Sequence, residues 1–263
     1  MLLIEMIVMD FSFNAGTFKD MLHNTMAAYL EDKAKNDNEA RDDESGNSPH
    51  NLLAAMDQAI DVMQRADADS VVQQDMSAES MGMLEEKDIS KIGQYALDLL
   101  ESLVVFVQNK TGEQNRDLLR LSLPISLWVA RHGGKLSQID LLVNSLAGYA
   151  NEITEPHMLA ELSAVIKEVV DACDDEIRRD LEQSNMMRPW RILNLNYGIV
   201  ATRSHQPEII EQAYETLVRN LPQDAREFFI EGMQQMDILG YPDEVREVVE
   251  RYNKMWGSES LLH

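Results

Sequence analysis

Residues 190–256 read WRILNLNYGIVATRSHQPEIIEQAYETLVRNLPQDAREFFIEGMQQMDILGYPDEVREVVERYNKMW, and this stretch decides the fold class. Its apolar residues recur every three or four positions, which places them on one face of an α-helix. Pro207 and Pro242 each precede such a stripe, where the missing amide proton of proline costs nothing. The stretch therefore predicts two helix pairs, 190–203 with 207–220 and 223–239 with 242–256.

The same helical spacing continues towards the N-terminus. The clearest stripes are Ile89, Ile92, Ala96, Leu99, Leu103 and Val107, then Leu136, Ile139, Val143, Leu146 and Ala150, then Leu159, Leu162, Ile166, Val169 and Cys173. The chain contains neither an Asn-Gly nor an Asp-Gly pair and no long apolar/polar alternation, so β-hairpins have no sequence support. We expect an all-α fold of about nine or ten helices in antiparallel pairs.

Trp190, Leu193 and Tyr197 have the spacing that opens a tetratricopeptide motif. The resemblance covers this one helix, because the alanine and proline positions that follow in the motif are out of register. Helix pairs at a period of about 35 residues are also typical of α-solenoids. The architecture predicted is a TPR-like or irregular α–α superhelix.

The chain divides by composition into four segments. Residues 1–30 form an N-terminal segment with one short amphipathic helix, and residues 31–50 contain two alanines and no larger apolar side chain. Such a stretch cannot offset the entropy of ordering it, so it is interpreted as a flexible acidic linker. A helical body over 51–187 and C-terminal helix pairs over 189–257, continuous with that body, follow.

The charge of the chain argues against several kinds of partner, although an acidic body leaves room for a small basic patch. The 263 residues contain 23 Lys or Arg and 46 Asp or Glu, for a net charge of −23. Sequence-independent binding to nucleic acid or to an anionic membrane requires a positive surface, so neither partner is expected. One cysteine, Cys173, excludes an internal disulfide and a Cys-rich metal site. The apolar N-terminus is too short to span a bilayer and is built poorly as a signal peptide, so we expect a cytoplasmic protein.

No catalytic constellation is readable in the sequence. The six histidines are scattered, and the chain contains no Gly-x-Ser-x-Gly elbow and no Glu-x-x-His motif. His157 and Glu161 have helical i, i+4 spacing, which a surface pair explains. We therefore assign no catalytic residue, no metal ligand and no cofactor, although a site assembled from distant residues stays open.

Two basic clusters rise above this background. Arg131, His132 and Lys135 flank a Gly-Gly pair between two predicted helices, and they suggest a weak anion site. A helix C-terminal cap with favourably placed basic residues explains the same residues.

The second cluster contains Arg188, Trp190, Arg191, Tyr197 and Arg203, in a region of the chain that is rich in aromatic rings. Arginine and tryptophan are typical anchors of protein interfaces, so these five residues are the predicted partner-binding face. The alternative is structural: the arginines compensate nearby acids and Trp190 packs between helices.

The leading functional hypothesis is a non-enzymatic, helical-repeat-like interaction module or adaptor that binds a partner protein or peptide. The alternative is a small-ligand-binding protein or an enzyme with a polar pocket inside the helical array. A third hypothesis is regulation through the acidic linker. The sequence leaves the oligomeric state open.

Overall fold

The computed structural model of the chain describes residues 13–30, 48–73 and 85–257. These residues form ten helices of ten residues or more and two single-turn helices, with no strand among them. The all-α prediction and its number of helices are confirmed. The helices are α1 (Ala15–Leu30), α2 (Pro49–Gln73), α3 (Glu86–Thr111), α4 (Arg116–Arg120), α5 (Ser122–Arg131), α6 (Asp140–Glu152), α7 (Pro156–Ala172), α8 (Asp175–Arg178), α9 (Pro189–Arg203), α10 (Pro207–Asn220), α11 (Ala225–Leu239) and α12 (Asp243–Trp256).

The described chain splits into two compact units, with the division between residues 145 and 146, inside α6. In the first unit α2 packs against α1 and α3, and α3 packs against α5. Gly93 makes the last contact possible, because a Cβ atom there would lie 2.0 Å from Cγ2 of Val129. The fully buried side chains of this unit include Leu22, Met26, Met56, Ile60, Met63, Leu100, Leu103, Leu118 and Trp128.

In the second unit α9 packs against α7 and α10, and α12 packs against α10 and α11. Its core is aromatic: the ring of Tyr214 meets Phe229 and Tyr252 edge-on, with centroids 5.0 and 5.1 Å apart. Gly198 on α9 accommodates another ring, since a Cβ atom there would lie 2.6 Å from Cζ of Phe228. Aromatic rings from α10, α11 and α12 thus pack together in the core of this unit.

Glycine and proline residues mark the ends of several helices. Gly133 and Gly240, which follow apolar stripes, both have the left-handed backbone of a helix C-terminal cap, with φ of 76° and 64°. Pro156 and Pro207 occupy the first turn of α7 and α10.

Pro124 does not kink a longer helix. It lies in the first turn of α5, and Leu121 separates α5 from α4. Two short helices meet there because a proline is tolerated where its missing amide has no intrahelical partner.

The expected linker 31–50 lies largely outside the described residues, but its last residues are ordered: Pro49 and His50 begin α2, and the Asn51 amide donates to Oγ of Ser48 (3.3 Å). The described chain divides into its two compact units at residues 145 and 146. The reason is that α9 packs against α7, which precedes it in the chain, so α7 belongs with the C-terminal helices.

Candidate functional site

The loop that joins α8 to α9, residues 179–188, begins with an unusual backbone conformation. Asp180 has φ of +49°, in the left-handed region that aspartate adopts more readily than most residues with a Cβ atom. Its amide donates to the carbonyl of Ile177 (3.1 Å). This turn ends α8 and directs a buried carboxylate towards Arg188.

Arg188, at the other end of the loop, has a side chain that is only 3% exposed. Its Nε and Nη2 donate to the two carboxylate oxygens of Asp180 (2.5 and 2.9 Å), in bidentate geometry. Nη2 also donates to Asp224 (3.1 Å), and Nη1 donates to the carbonyls of Gln183 and Asn185 (3.3 and 3.1 Å). All five N–H groups of the guanidinium are therefore satisfied.

Arg191 completes the arrangement. Its Nε donates to the second carboxylate oxygen of Asp224 (2.6 Å), and its Nη1 donates to the carbonyl of Met186 (3.1 Å). Two arginines and two aspartates thus form a closed, electrically neutral set, which we call the Arg188 network (Asp180, Arg188, Arg191 and Asp224). Hydrogen bonding to Asp180 raises the pKa of Arg188 despite its burial.

The loop held by this network exposes large apolar side chains. Leu181 is 80% exposed, Met187 75% and Met186 50%. We call these three residues the apolar loop face. The loop backbone is held at three points, since the carbonyls of Gln183, Asn185 and Met186 accept hydrogen bonds from buried or half-buried arginines. The network therefore presents apolar side chains from an ordered loop.

The predicted partner-binding face is largely internal. Trp190 and Tyr197 are buried, and burial raises the pKa of Tyr197 to about 12. The half-buried Arg203 donates to the carbonyls of Ala150 and Ile153 (2.5 and 2.7 Å) at the C-terminal end of α6. Arg188 and Arg191 are engaged in the network. The burial of these five residues does not match an exposed recognition face and favours the structural alternative.

The apolar loop face was missed by the sequence analysis, as were Asp180 and Asp224. A leucine and two methionines in a polar stretch carry no periodic signal, and their exposure depends on where the loop lies. The two aspartates lie 8 and 36 residues from Arg188. The density of arginine around residue 188 was the one available signal. It identified the arginines that hold the loop rather than the exposed apolar side chains of the loop.

The loop at Arg131, His132 and Lys135 is a helix C-terminal cap. The amide of Gly134 donates to the carbonyl of Val129 (2.9 Å) and the amide of Gly133 donates to the carbonyl of Ala130 (3.1 Å). This pair of bonds defines a Schellman motif.

The Lys135 amide and the His132 ring are also engaged. The Lys135 amide donates to Oγ of Ser90 (2.8 Å). The His132 ring stacks on Trp128, its Nδ1 donates to the Trp128 carbonyl (2.8 Å), and its Nε2 lies 3.0 Å from the Asp67 carboxylate. The amides and the imidazole that the weak anion site requires are therefore bound within the chain, which matches the helix cap that explains the same residues.

In the part of the chain that the structure describes, no three His, Cys, Asp or Glu side chains converge in a way that would hold a metal ion. Over the same residues, no helix combines the length and the apolar character that crossing a membrane requires. No protein-family model matches the chain, and comparison with curated proteins and with solved structures finds no similar protein.

Proposed function

We propose that this protein is a non-enzymatic interaction module that binds a partner protein or peptide, and that the apolar loop face contributes to the contact. The observation that carries the proposal is the exposure of Leu181, Met186 and Met187 on a loop ordered by buried ion pairs. Methionine side chains are flexible and polarisable, so they adapt to the shape of a bound surface.

The energetics support this use of the loop. Burying one leucine or methionine side chain is worth about 1.5–3 kcal/mol relative to leaving it in water. A flexible loop spends much of this gain on becoming ordered when it binds. Here the Arg188 network orders the backbone before any partner arrives. Arg188 and Arg191 therefore act on binding as supporting residues.

The finer architecture and the compartment belong to the same proposal. Packing of α9 with α10 and of α11 with α12 supports a helical-repeat-like arrangement, TPR-like or irregular. The single cysteine, buried and with its thiol donating to the Val169 carbonyl (3.4 Å), suits a cytoplasmic protein that needs no disulfide.

The test is affinity capture from the native cell extract with the full chain, read by quantitative mass spectrometry. Leu181→Ser/Met187→Ser removes most of the apolar loop face and leaves the Arg188 network untouched. Ile238→Ser is the matched control, because Ile238 is 72% exposed on α11 of the same unit. We expect a protein captured by wild type and by the control to be lost with the double variant. Equal capture by all three proteins would contradict the proposal.

The alternative, a small-ligand-binding protein or an enzyme, needs an enclosed polar pocket. One pocket of the first unit, lined in part by Leu97, Glu101 and Gln138, offers about 30 Å³, which is room for water rather than for a substrate. Elemental analysis addresses the metal-dependent form of this alternative. We expect no stoichiometric iron, zinc or manganese, and one bound metal that disappears with His157→Ala would favour an enzyme.

A further inference from the structure

Two adjacent methionines of the apolar loop face are more accessible than the other methionines that the structure describes. Met187 is 75% exposed and Met186 is 50% exposed, and Met255 near the end of α12 follows with 43%. The other methionines among the described residues are buried or half-buried: Met21, Met26, Met56, Met63, Met158, Met233 and Met236. Among these residues, a reagent dissolved in water therefore has the freest access to Met187 and Met186.

The backbone around these two methionines is held by atoms that a reaction at sulfur does not alter. The Met187 amide donates to Oδ1 of Asn185 (2.9 Å), and the Met186 carbonyl accepts from Nη1 of Arg191 (3.1 Å). A change at Sδ of either methionine leaves both hydrogen bonds in place. An oxygen atom added to these exposed side chains would also be hydrated, so it would carry no penalty for a buried polar group.

We propose that Met186 and Met187 form an oxidation site, at which a peroxide converts the thioether of the side chain to a sulfoxide. A lone pair of Sδ attacks one oxygen of hydrogen peroxide, so that an S–O bond forms and the O–O bond breaks. The sulfur is oxidised by two electrons and the peroxide is reduced. The transferred oxygen loses its proton to the departing hydroxide, which leaves as water. Methionine sulfoxide reductases reverse this modification.

Oxidation at this site changes the chemistry of the apolar loop face and leaves the fold intact. A sulfoxide is polar, whereas a thioether is apolar, so two of the three side chains of the face lose their apolar character. This consequence rests on the proposed function and adds its regulation. A partner that covers Leu181, Met186 and Met187 should bind the oxidised chain about tenfold more weakly. A sulfoxide at the buried Met56 would disrupt core packing instead.

Timed exposure of the folded full-length chain to dilute hydrogen peroxide, followed by peptide mass spectrometry, tests the site. We expect Met187 and Met186 to be oxidised about tenfold faster than the buried Met56 and Met236, and faster than Met255. In the chain unfolded by urea these differences should vanish. The urea midpoint of the chain oxidised at residues 186 and 187 should equal that of the untreated chain. A Met187 rate equal to that of Met56 or Met255 in the folded chain, or a lowered midpoint, would overturn the site.

Affinity capture from the native cell extract tests the consequence for binding. The chain is oxidised and freed of peroxide before it meets the extract, and each protein is compared with its own untreated sample. Wild type and the matched control Met255→Leu should lose most of the captured partner after oxidation. Met186→Leu/Met187→Leu should keep its untreated level, because leucine has no sulfur to oxidise. Treatment of the oxidised wild type with methionine sulfoxide reductase should restore capture.

The outcomes separate this inference from the proposed function. A loss in Met186→Leu/Met187→Leu as large as in wild type would show that other methionines carry the effect. Full capture by the oxidised wild type would show that the sulfoxides do not disturb binding. Either result overturns regulation at this site, and the proposed function still stands if Leu181→Ser/Met187→Ser loses the partner. If that serine variant captures the partner as wild type does, the proposed function fails, while the oxidation rates decide the oxidation site independently.

Discussion

The Arg188 network provides the sharpest test of how this structure is held together. Arg188→Met removes a buried guanidinium while keeping most of the apolar length of the side chain. The carboxylates that this guanidinium contacts, on Asp180 and Asp224, have side-chain exposures of only 5% and 8%. Asp180 loses both of its bonds to the guanidinium, while Asp224 retains Arg191.

The expected loss follows from these contacts. Breaking a buried pair by removing one partner costs about 3–5 kcal/mol, because an uncompensated charge stays buried. The carbonyls of Gln183 and Asn185 lose their donors as well, although the exposed loop lets water replace these. We therefore expect Arg188→Met to lower the free energy of unfolding by about 3–5 kcal/mol, a large part of the 5–15 kcal/mol typical of a domain.

The assay is urea unfolding of the full chain followed by circular dichroism, with the midpoint and the slope fitted separately. Arg179→Met is the matched control, since Arg179 lies in the same loop and is exposed, and it should change stability by less than about 0.5 kcal/mol. Arg188→Met/Asp180→Leu should recover part of the loss, because the stranded charge is gone. A loss below about 1 kcal/mol for Arg188→Met, or one equal to that of Arg179→Met, would refute the assignment of a structural role.

Three further predictions concern other parts of the chain. Trp190→Ala should lower the free energy of unfolding by about 3–5 kcal/mol in urea titrations, since Trp190 is buried, and a loss under about 1 kcal/mol would mean that the ring does not belong to the core. Burial raises the pKa of Tyr197 to about 12 in the folded chain, against about 10 when unfolded. The protonated Tyr197 side chain therefore contributes fully to stability below about pH 10, and this contribution is lost as pH rises towards 12. Tyr197→Phe should lose less stability than wild type between about pH 9 and 11, and identical pH profiles would contradict this. Gly134→Ala should cost about 1–3 kcal/mol by thermal unfolding, because the added Cβ atom would lie 2.6 Å from Ile89 and 2.9 Å from Val129, and an unchanged melting temperature would show that these side chains yield.

The fold class was available from the sequence because its signals are local. Apolar spacing of three and four residues predicts a helix wherever it occurs, and glycine or proline at a helix end acts within one turn. The C-terminal prediction of 190–203 and 207–220 differs from α9 and α10 by one residue at one end. At Arg131–Lys135 the local signal also favoured the cap that is observed, with Gly133 in the left-handed conformation.

Tertiary structure decided the roles of the arginine-rich cluster. Arg188, Trp190 and Tyr197 have the composition of an interface, and composition is the same whether such residues face solvent or the interior. The orientation of Arg188 depends on Asp180 and Asp224, which lie 8 and 36 residues from it. It depends also on α7, against which α9 packs. A local sequence pattern does not predict contacts between residues so far apart in the chain.

The sequence by itself therefore determined that the chain is helical, where its C-terminal helices begin and end, and that its net charge of −23 makes its surface acidic. Only the tertiary structure decided which side chains reach that surface. Helix formation depends on residues within about four positions of each other, whereas burial depends on contacts between elements far apart in the chain. For this reason the arginines that stand out in the sequence lie inside, and the exposed face belongs to Leu181, Met186 and Met187.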